Sequence, residues 1–135
     1  MNGNQQEELF GKTIYEYSRE QALRDGVLVD VTETAKEAGI KYPVAVTEAL
    51  WNYIEPTKKL IEMGQSVQGR LWDVLYLFTI AGRSVPKGCA KLLYNVSFLM
   101  ENSESFKTHV VKLKAVCGPG DTMEPVITLM LENED

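Results

Sequence analysis

Short apolar runs alternate with helix-start signals and glycines through the first half of the chain. Ser18 is followed three residues later by Gln21, which fits a capping box and predicts a helix over Arg19–Asp25. The β-branched runs at 27–31 and 42–46 predict buried strands. Cap residues and glycine stops predict three further short helices, at about 31–39, 48–54 and 58–63.

The strongest helical pattern follows a polar break at 64–69 and covers residues 70–83. Leu71, Val74 and Leu75 fall on one face of this helix. Trp72 and Tyr76 widen that face until little polar surface remains. We therefore expect one long helix that is buried on most of its sides.

Apolar and polar residues alternate after residue 91, as they do in half-buried strands. Strands are predicted at 92–100, 111–117 and 126–131, joined by a polar connector at 101–107 and a turn-rich loop at 118–125. The sequence therefore predicts an α+β protein: an antiparallel sheet with a C-terminal three-strand meander, one long helix and several short helices. We expect residues 1–12 to form a flexible arm and residues 13–135 to form a single domain.

The net charge of −5 comes from one end of the chain. The segment 115–135 holds five acids and no lysine or arginine, and the remaining 14 acids equal the 14 bases. An acidic chain is unlike proteins that bind nucleic acid by neutralising phosphates. With no apolar run long enough to span a bilayer and no signal-peptide pattern, we expect a cytoplasmic protein without membrane contact.

The metal-binding residue types are sparse. Cys89 and Cys117 lie far apart, and His109 is the one histidine, so the chain lacks the ligand set of a zinc site. We expect two buried free thiols, a histidine at a strand end, and neither a metal nor a cofactor.

The long helix carries the candidate chemistry. Asp73 lies in its most apolar part, and Arg70 is three residues earlier, so the two form either an internal ion pair or part of a pocket. A ligand site in such a pocket would use Arg19, Arg70, Trp72 and Asp73. Trp72 and Tyr76, together with Trp51, form either an aromatic platform or part of the core, and core packing is the ordinary outcome.

Other acids have simpler explanations than a reaction centre. Asp30 and Glu33 repeat the cap spacing, and Gly118–Asp121 fits a tight turn better than a phosphate loop because no helix follows it. The last five residues fit a solvated tail. A carboxylate enzyme built on Asp30, Asp73 or Asp121 stays the weakest alternative.

Three stretches of the chain resemble a known family. They are YSREQALRDGVLVDVTETAKEAGIKYPVAVT, GRLWDVLYL and VKLKAVCGPGDTMEPVITLMLENED. They resemble an uncharacterised bacterial family of small proteins, a domain of unknown function carried on plasmids, conjugative elements and phages. The resemblance implies a mobile-element setting, and it brings no activity, cofactor or catalytic residue.

These observations together predict a non-enzymatic accessory protein that binds a protein partner, as a regulator or antagonist of a host system. The alternative is a protein that binds a nucleotide or metabolite in a pocket beside helix 70–83. Neither the partner nor the oligomeric state follows from the sequence.

Overall fold

The computed structural model describes residues 17–85 and 90–134. The predicted arm at 1–12 and Cys89 lie outside the described residues. Within them, helices and strands alternate up to residue 54, two further helices follow up to residue 82, and strands follow from residue 91, which confirms the α+β class. The elements are α1 (Arg19–Asp25), β1 (Leu28–Asp30), α2 (Thr32–Glu37), β2 (Val44–Thr47), α3 (Glu48–Ile54), α4 (Lys58–Glu62), α5 (Val67–Gly82), β3 (Lys91–Asn102), β4 (Ser105–Pro119) and β5 (Pro125–Leu131).

The described strands form one five-stranded sheet in the order β1-β2-β5-β4-β3. The predicted C-terminal meander is confirmed, because β3 pairs antiparallel with β4 and β4 pairs antiparallel with β5. The sheet also contains one parallel pair, between β2 and β5, so it is mixed rather than wholly antiparallel. Alternating residues show which segments are strands, but they do not show which strands become neighbours.

Local side-chain caps set the starts of three short helices, α1, α3 and α4. Ser18 and Gln21 form the predicted capping box, and α1 stops at Gly26, which has a left-handed φ of 81°. The Thr47 hydroxyl accepts a hydrogen bond from the Leu50 N–H at the start of α3. Both helices have the predicted bounds because their start signals lie within one turn of the helix.

The core lies between one face of the sheet and helices α2, α3 and α5. On that face Val44 and Val46 of β2, Leu129 of β5, and Val96 and Phe98 of β3 are almost fully buried. Helix α3 packs on β2 and β5 in the middle of the sheet, whereas α5 packs on β3 at its edge. One side of α5 therefore lies beyond the reach of the sheet.

Two predictions about α5 need correction. The helix begins at Val67, three residues before the predicted start, because the Ser66 hydroxyl accepts a hydrogen bond from the Gly69 N–H and caps it there. It is also buried on one face rather than on most sides, and Trp72, Tyr76 and Ile80 are exposed. The number of apolar residues in the helix led us to expect too much burial, because it does not show how many other helices and strands pack against the helix.

The hairpin of β3 and β4 is longer than predicted. Twelve consecutive pairs, from Lys91 with Val116 to Asn102 with Ser105, continue through the expected polar connector to a turn at Ser103, which has a φ of 52°. His109 therefore lies within β4, opposite Phe98, and not at a strand end. Cys117 is exposed, contrary to the expectation of a buried thiol, because β4 ends two residues later at the sheet margin.

The acidic C-terminus is attached to the fold, not solvated as predicted. One Glu134 carboxylate oxygen accepts hydrogen bonds from the Thr47 hydroxyl at 2.7 Å and from the Leu131 N–H at 2.8 Å. The Lys114 ammonium donates to the Glu134 carbonyl. These contacts attach the last described residues to three strands of the sheet.

Candidate functional site

The outward face of α5 presents an aromatic patch, which we define as Trp72, Tyr76 and Ile80. The three side chains are 37%, 46% and 38% exposed. They follow one another at intervals of four residues, which places them within an arc of about 80° on the helix surface. The rings of Trp72 and Tyr76 stack with centroids 6.4 Å apart and planes 11° from parallel. The result is a flat apolar surface that no described residue covers.

An open hollow of about 480 Å³ adjoins this patch at the N-terminal end of α5. Trp72 forms part of the wall of the hollow. Two exposed carboxylates also line the hollow, those of Glu37 in α2 and Asp73 in α5. Neutral polar residues, Gln65, Ser66 and Gln68, complete much of the remaining wall. The hollow therefore combines an indole ring with two negative charges.

Arg70 also borders the hollow, but its side chain belongs to the core. It is 4% exposed, and its guanidinium lies over the Phe98 ring at 5.1 Å. Its N–H groups donate to the carbonyl oxygens of Tyr53, Ile54 and Leu99, and to the Gln65 side chain and the Met100 sulfur. These acceptors take all five N–H groups of the guanidinium. Arg70 therefore connects α3, α5 and β3, and its predicted role in ligand binding stays a prediction.

The expected ion pair between Arg70 and Asp73 is absent from the described structure. Asp73 is exposed at the rim of the hollow, whereas Arg70 points into the core. Burial lowers the pKa of the Arg70 guanidinium, and the charge of Asp73 partly opposes that shift. The three-residue spacing suggested contact, but the two side chains leave the helix in different directions.

Arg19 lies apart from the other three predicted ligand residues. It lines a separate groove between α1 and the sheet, where its guanidinium donates to the Thr128 hydroxyl at 2.7 Å and to the Ile127 carbonyl at 2.9 Å. Burial lowers the pKa of this guanidinium, and the charges of Asp30 and Asp121 oppose that effect. The structure thus brings together Arg70, Trp72 and Asp73 and places Arg19 elsewhere.

The remaining acids serve local structure. Asp30 was the predicted cap of α2, but the N-cap in the structure is Val31, which makes no side-chain cap hydrogen bond. Asp30 lies one residue earlier, where it accepts hydrogen bonds from the Thr32 N–H at 3.0 Å and from the Thr32 hydroxyl at 2.5 Å. Asp121 accepts from the backbone N–H groups of Arg19 and Glu20. Among residues 17–85 and 90–134, no group of three or more His, Cys, Asp or Glu side chains is placed to hold a metal ion.

The exposure of Trp72 and Tyr76 is the functional feature that sequence reasoning missed. The sequence did contain a pattern that indicates an exposed face, because Asp73 and Gly69 fall on the same side of the helix as the two rings. A charged residue and a glycine on that side argue against a covering sheet or helix. We expected core packing for Trp72 and Tyr76, and the structure shows this only for Trp51, which packs against the core.

The fold and this surface define an α+β protein that displays a stacked aromatic pair beside an acidic hollow. Residues 8–135 match the family described as "Family of unknown function (DUF6573)", and the chain belongs to that family. Comparisons with curated proteins and with solved structures found no match. None of the helices in the described ranges has the length and apolar character needed to cross a bilayer.

Proposed function

We propose that this protein is a non-enzymatic module that binds a partner protein through the aromatic patch on α5. The observation that supports it is the exposure of the stacked Trp72 and Tyr76 rings on a helix whose opposite face is fixed in the core. The resemblance noted in the sequence supports a mobile-element setting, in which the protein regulates or antagonises a host system.

The geometry favours recognition of a protein surface. Tryptophan and tyrosine dominate the binding energy of many interfaces, because each removes a large apolar area from water when it binds. A helix that presents residues at intervals of four can lie against a groove or a second helix. Arg70 ties α5 to α3 and β3, so the patch is rigid before binding and loses little conformational entropy in the complex.

The charges beside the patch point to a basic partner segment. Glu37 and Asp73 flank a wall formed by Trp72, and the cation at the same hollow, Arg70, has its donors turned into the core. A lysine or arginine of the partner could lie on the indole face while a carboxylate neutralises it. We therefore propose a partner that offers apolar side chains for the patch and a cation for the hollow.

Matched double variants test this proposal. Trp72→Ala/Tyr76→Ala removes the patch, whereas Phe106→Ala/Tyr42→Ala removes two aromatic side chains that are 37% and 46% exposed at other positions. The wild-type protein captures a partner from a host lysate, and the purified partner is then titrated against each protein by calorimetry. We expect the patch variant to bind about 30-fold or more weakly, as the loss of a hot spot does, and the control variant to bind like wild type.

Charge reversal tests the basic nature of the partner. Asp73→Lys and Glu37→Lys should each weaken binding, and the loss should shrink as salt is raised, because screening shortens the reach of exposed charges. Equal binding by the patch variant and the control variant would refute a site on α5. Weaker binding by the patch variant with no effect of charge reversal would keep the site and refute the basic partner.

A second function is favoured by the hollow itself. Its volume of about 480 Å³ is within the range of small-molecule sites, and three of the four predicted ligand residues border it. Of the two predicted ligand classes, nucleotide or metabolite, the carboxylates of Glu37 and Asp73 favour a metabolite without phosphate groups. Such a ligand at 100 times its dissociation constant would add about 2.7 kcal/mol to the stability of the protein. A thermal-shift screen with wild type and Trp72→Ala tests this function. Compounds that shift only wild type support it, and a screen without such shifts counts against it.

A further inference from the structure

The outer edge of β3 carries backbone groups that the sheet does not use. The Cys117 N–H donates to the Ala90 carbonyl, so even-numbered residues of β3 face β4 and odd-numbered residues face outward. The Leu99 carbonyl confirms this direction, because it accepts from the Arg70 guanidinium instead of from β4. In the described structure, the outward groups of Leu93, Asn95 and Ser97 have no hydrogen-bond partner.

Over residues 92–98 this edge lacks the features that keep a sheet edge apart from other strands, whereas Arg70 and Lys59 contact it further along, at Leu99 and Glu101. The pairing of β3 with β4 keeps one register over twelve residue pairs, so there is no bulge to twist the edge away. The segment 92–98 contains no proline, glycine or charged residue. A regular and uncharged edge of this length, seven residues, is a template for another strand.

We infer that β3 pairs antiparallel with β3 of a second copy of this chain, about a two-fold axis at Asn95. The sheets of the two copies would then join into one sheet of ten strands. In this register each residue with unpaired outward backbone groups lies opposite a residue of the second copy. Leu93 faces the partner's Ser97, and Asn95 faces the partner's Asn95. The carboxamide of asparagine both donates and accepts, so it can bond to its own copy across the axis.

Side chains on the sheet face opposite the core match this register. Val110 of β4 pairs with Ser97 of β3, and Val110 is 67% exposed. The partner's Leu93 would lie on the other side of Ser97, and Leu93 is 48% exposed in one copy. Because serine is small, the valine and the leucine would meet above it and cover each other. The same contact occurs twice about the axis.

The charge order along β3 favours the antiparallel direction. The strand begins at Lys91 and reaches Glu101 one residue before its end. In the Asn95-centred pairing the two copies run in opposite directions, so each Lys91 approaches the end of the partner strand that carries Glu101, whose carboxylate also lies 4.0 Å from the Lys59 ammonium of its own copy. Parallel pairing would place like charges side by side. This surface is separate from the aromatic patch and does not depend on the proposed partner.

Proline substitution gives a selective test. The Asn95 N–H points away from β4, so Asn95→Pro removes an outward donor without removing a hydrogen bond of the β3–β4 ladder. Leu93→Lys is the second variant, because it adds a charge at the contact and leaves the backbone unchanged. Trp72→Ala is the matched control on another surface. Circular dichroism checks the fold of each variant, and analytical ultracentrifugation measures its mass over a series of concentrations.

We expect wild type and Trp72→Ala to form dimers, and both edge variants to sediment as folded monomers. Isotope-filtered NMR of mixed labelled and unlabelled protein should show contact between the Tyr94 Hα and the partner's Val96 Hα, which this register brings together. A wild-type monomer at all concentrations would overturn the inference. So would a dimer that persists in both edge variants. Protection of the 93–97 amides by an extended peptide in a monomeric protein would assign the edge to a foreign strand.

Discussion

The carboxylate of Asp121 caps helix α1 from the opposite end of the chain, by accepting a hydrogen bond from the backbone N–H of Arg19 at 3.0 Å. Its second oxygen accepts from the Glu20 N–H at 3.0 Å. Helix α1 has seven residues and depends on such contacts, because short helices are marginal alone. The turn between β4 and β5 therefore holds the first described helix in place.

We expect Asp121→Asn to lower the melting temperature and to speed hydrogen exchange at the Arg19 and Glu20 amides. The two backbone N–H groups and the charge of Arg19 lower the pKa of the Asp121 carboxyl. A lowered pKa in the folded state means that the carboxylate stabilises the protein above the ordinary aspartate pKa of about 3.9. That contribution is lost as the pH falls through the lower, folded-state pKa.

The melting temperatures of wild type and Asp121→Asn should therefore differ at pH 7 and converge at strongly acidic pH. Glu132→Gln, which removes an exposed acid nearby on the chain, is the matched control and should leave α1 exchange unchanged. A constant difference at every pH would mean that the charge of Asp121 plays no part in the cap.

Replacing Arg70 with methionine should destabilise the protein severely. The change leaves the buried carbonyl oxygen of Ile54 and the partly buried carbonyl oxygens of Tyr53 and Leu99 without their donor. Each unsatisfied buried group costs about 1–3 kcal/mol, so we expect a loss of about 3 kcal/mol or more in urea unfolding. Arg70→Lys should lose less, because it keeps a charge but lacks the planar fork. Arg83→Met at the exposed end of α5 is the control, and an equal loss there would contradict this role for Arg70.

The contrast between Ser18 and Asp121 shows how far the sequence could predict this fold. Ser18 caps α1 from one residue away, so a spacing of three to Gln21 was enough to find the helix. Asp121 caps the same helix from 101 residues away, and no pattern in the sequence links it to Glu20. The parallel pairing of β2 with β5 was missed for the same reason, since it depends on the path of the chain in space.

The candidate site shows the same limit. The sequence identified Arg70, Trp72 and Asp73 as a group because they are close on one helix, and the structure places all three at one hollow. The sequence did not show that Arg70 points inward and Trp72 outward, because these directions depend on where β3 lies beneath α5. Helical spacing gives the angle between side chains around the helix axis, whereas the position of the neighbouring strand determines which of those side chains are buried.

Replacing Tyr94 with phenylalanine should remove one buried hydrogen bond. The Tyr94 hydroxyl donates to the Val74 carbonyl at 2.9 Å and connects β3 to α5. We expect a loss of about 1 kcal/mol in urea unfolding at pH 7, and little change for the exposed Tyr42→Phe. No loss at Tyr94 would mean that the bond adds nothing to stability.

Burial raises the pKa of the Tyr94 phenol, so the protonated form is favoured in the folded state. The unfolded phenol loses its proton near pH 10, and the stability of wild type should therefore fall more steeply than that of Tyr94→Phe above that pH. Parallel pH profiles for the two proteins would contradict this burial.

Cys117 should react with a thiol reagent in the native protein. Its side chain is exposed near the end of β4, so no unfolding is needed for access. In a Cys89→Ser variant, we expect one thiol to be titrated without denaturant and at the rate of a free thiol. Cys89→Ser/Cys117→Ser is the control, and it should show none. A native thiol that reacts only after urea is added would contradict the exposed position.

Replacing Glu134 with alanine should loosen the junction of β2, β5 and α3. The Glu134 carboxylate accepts from the Thr47 hydroxyl and the Leu131 N–H, and that hydroxyl also caps α3 at Leu50. We expect a loss of about 1 kcal/mol in stability and faster exchange of the Leu131 amide. Glu132→Ala is the matched control, because Glu132 is exposed two residues earlier. Equal behaviour of the two variants would mean that the acidic end is the solvated tail that the sequence predicted.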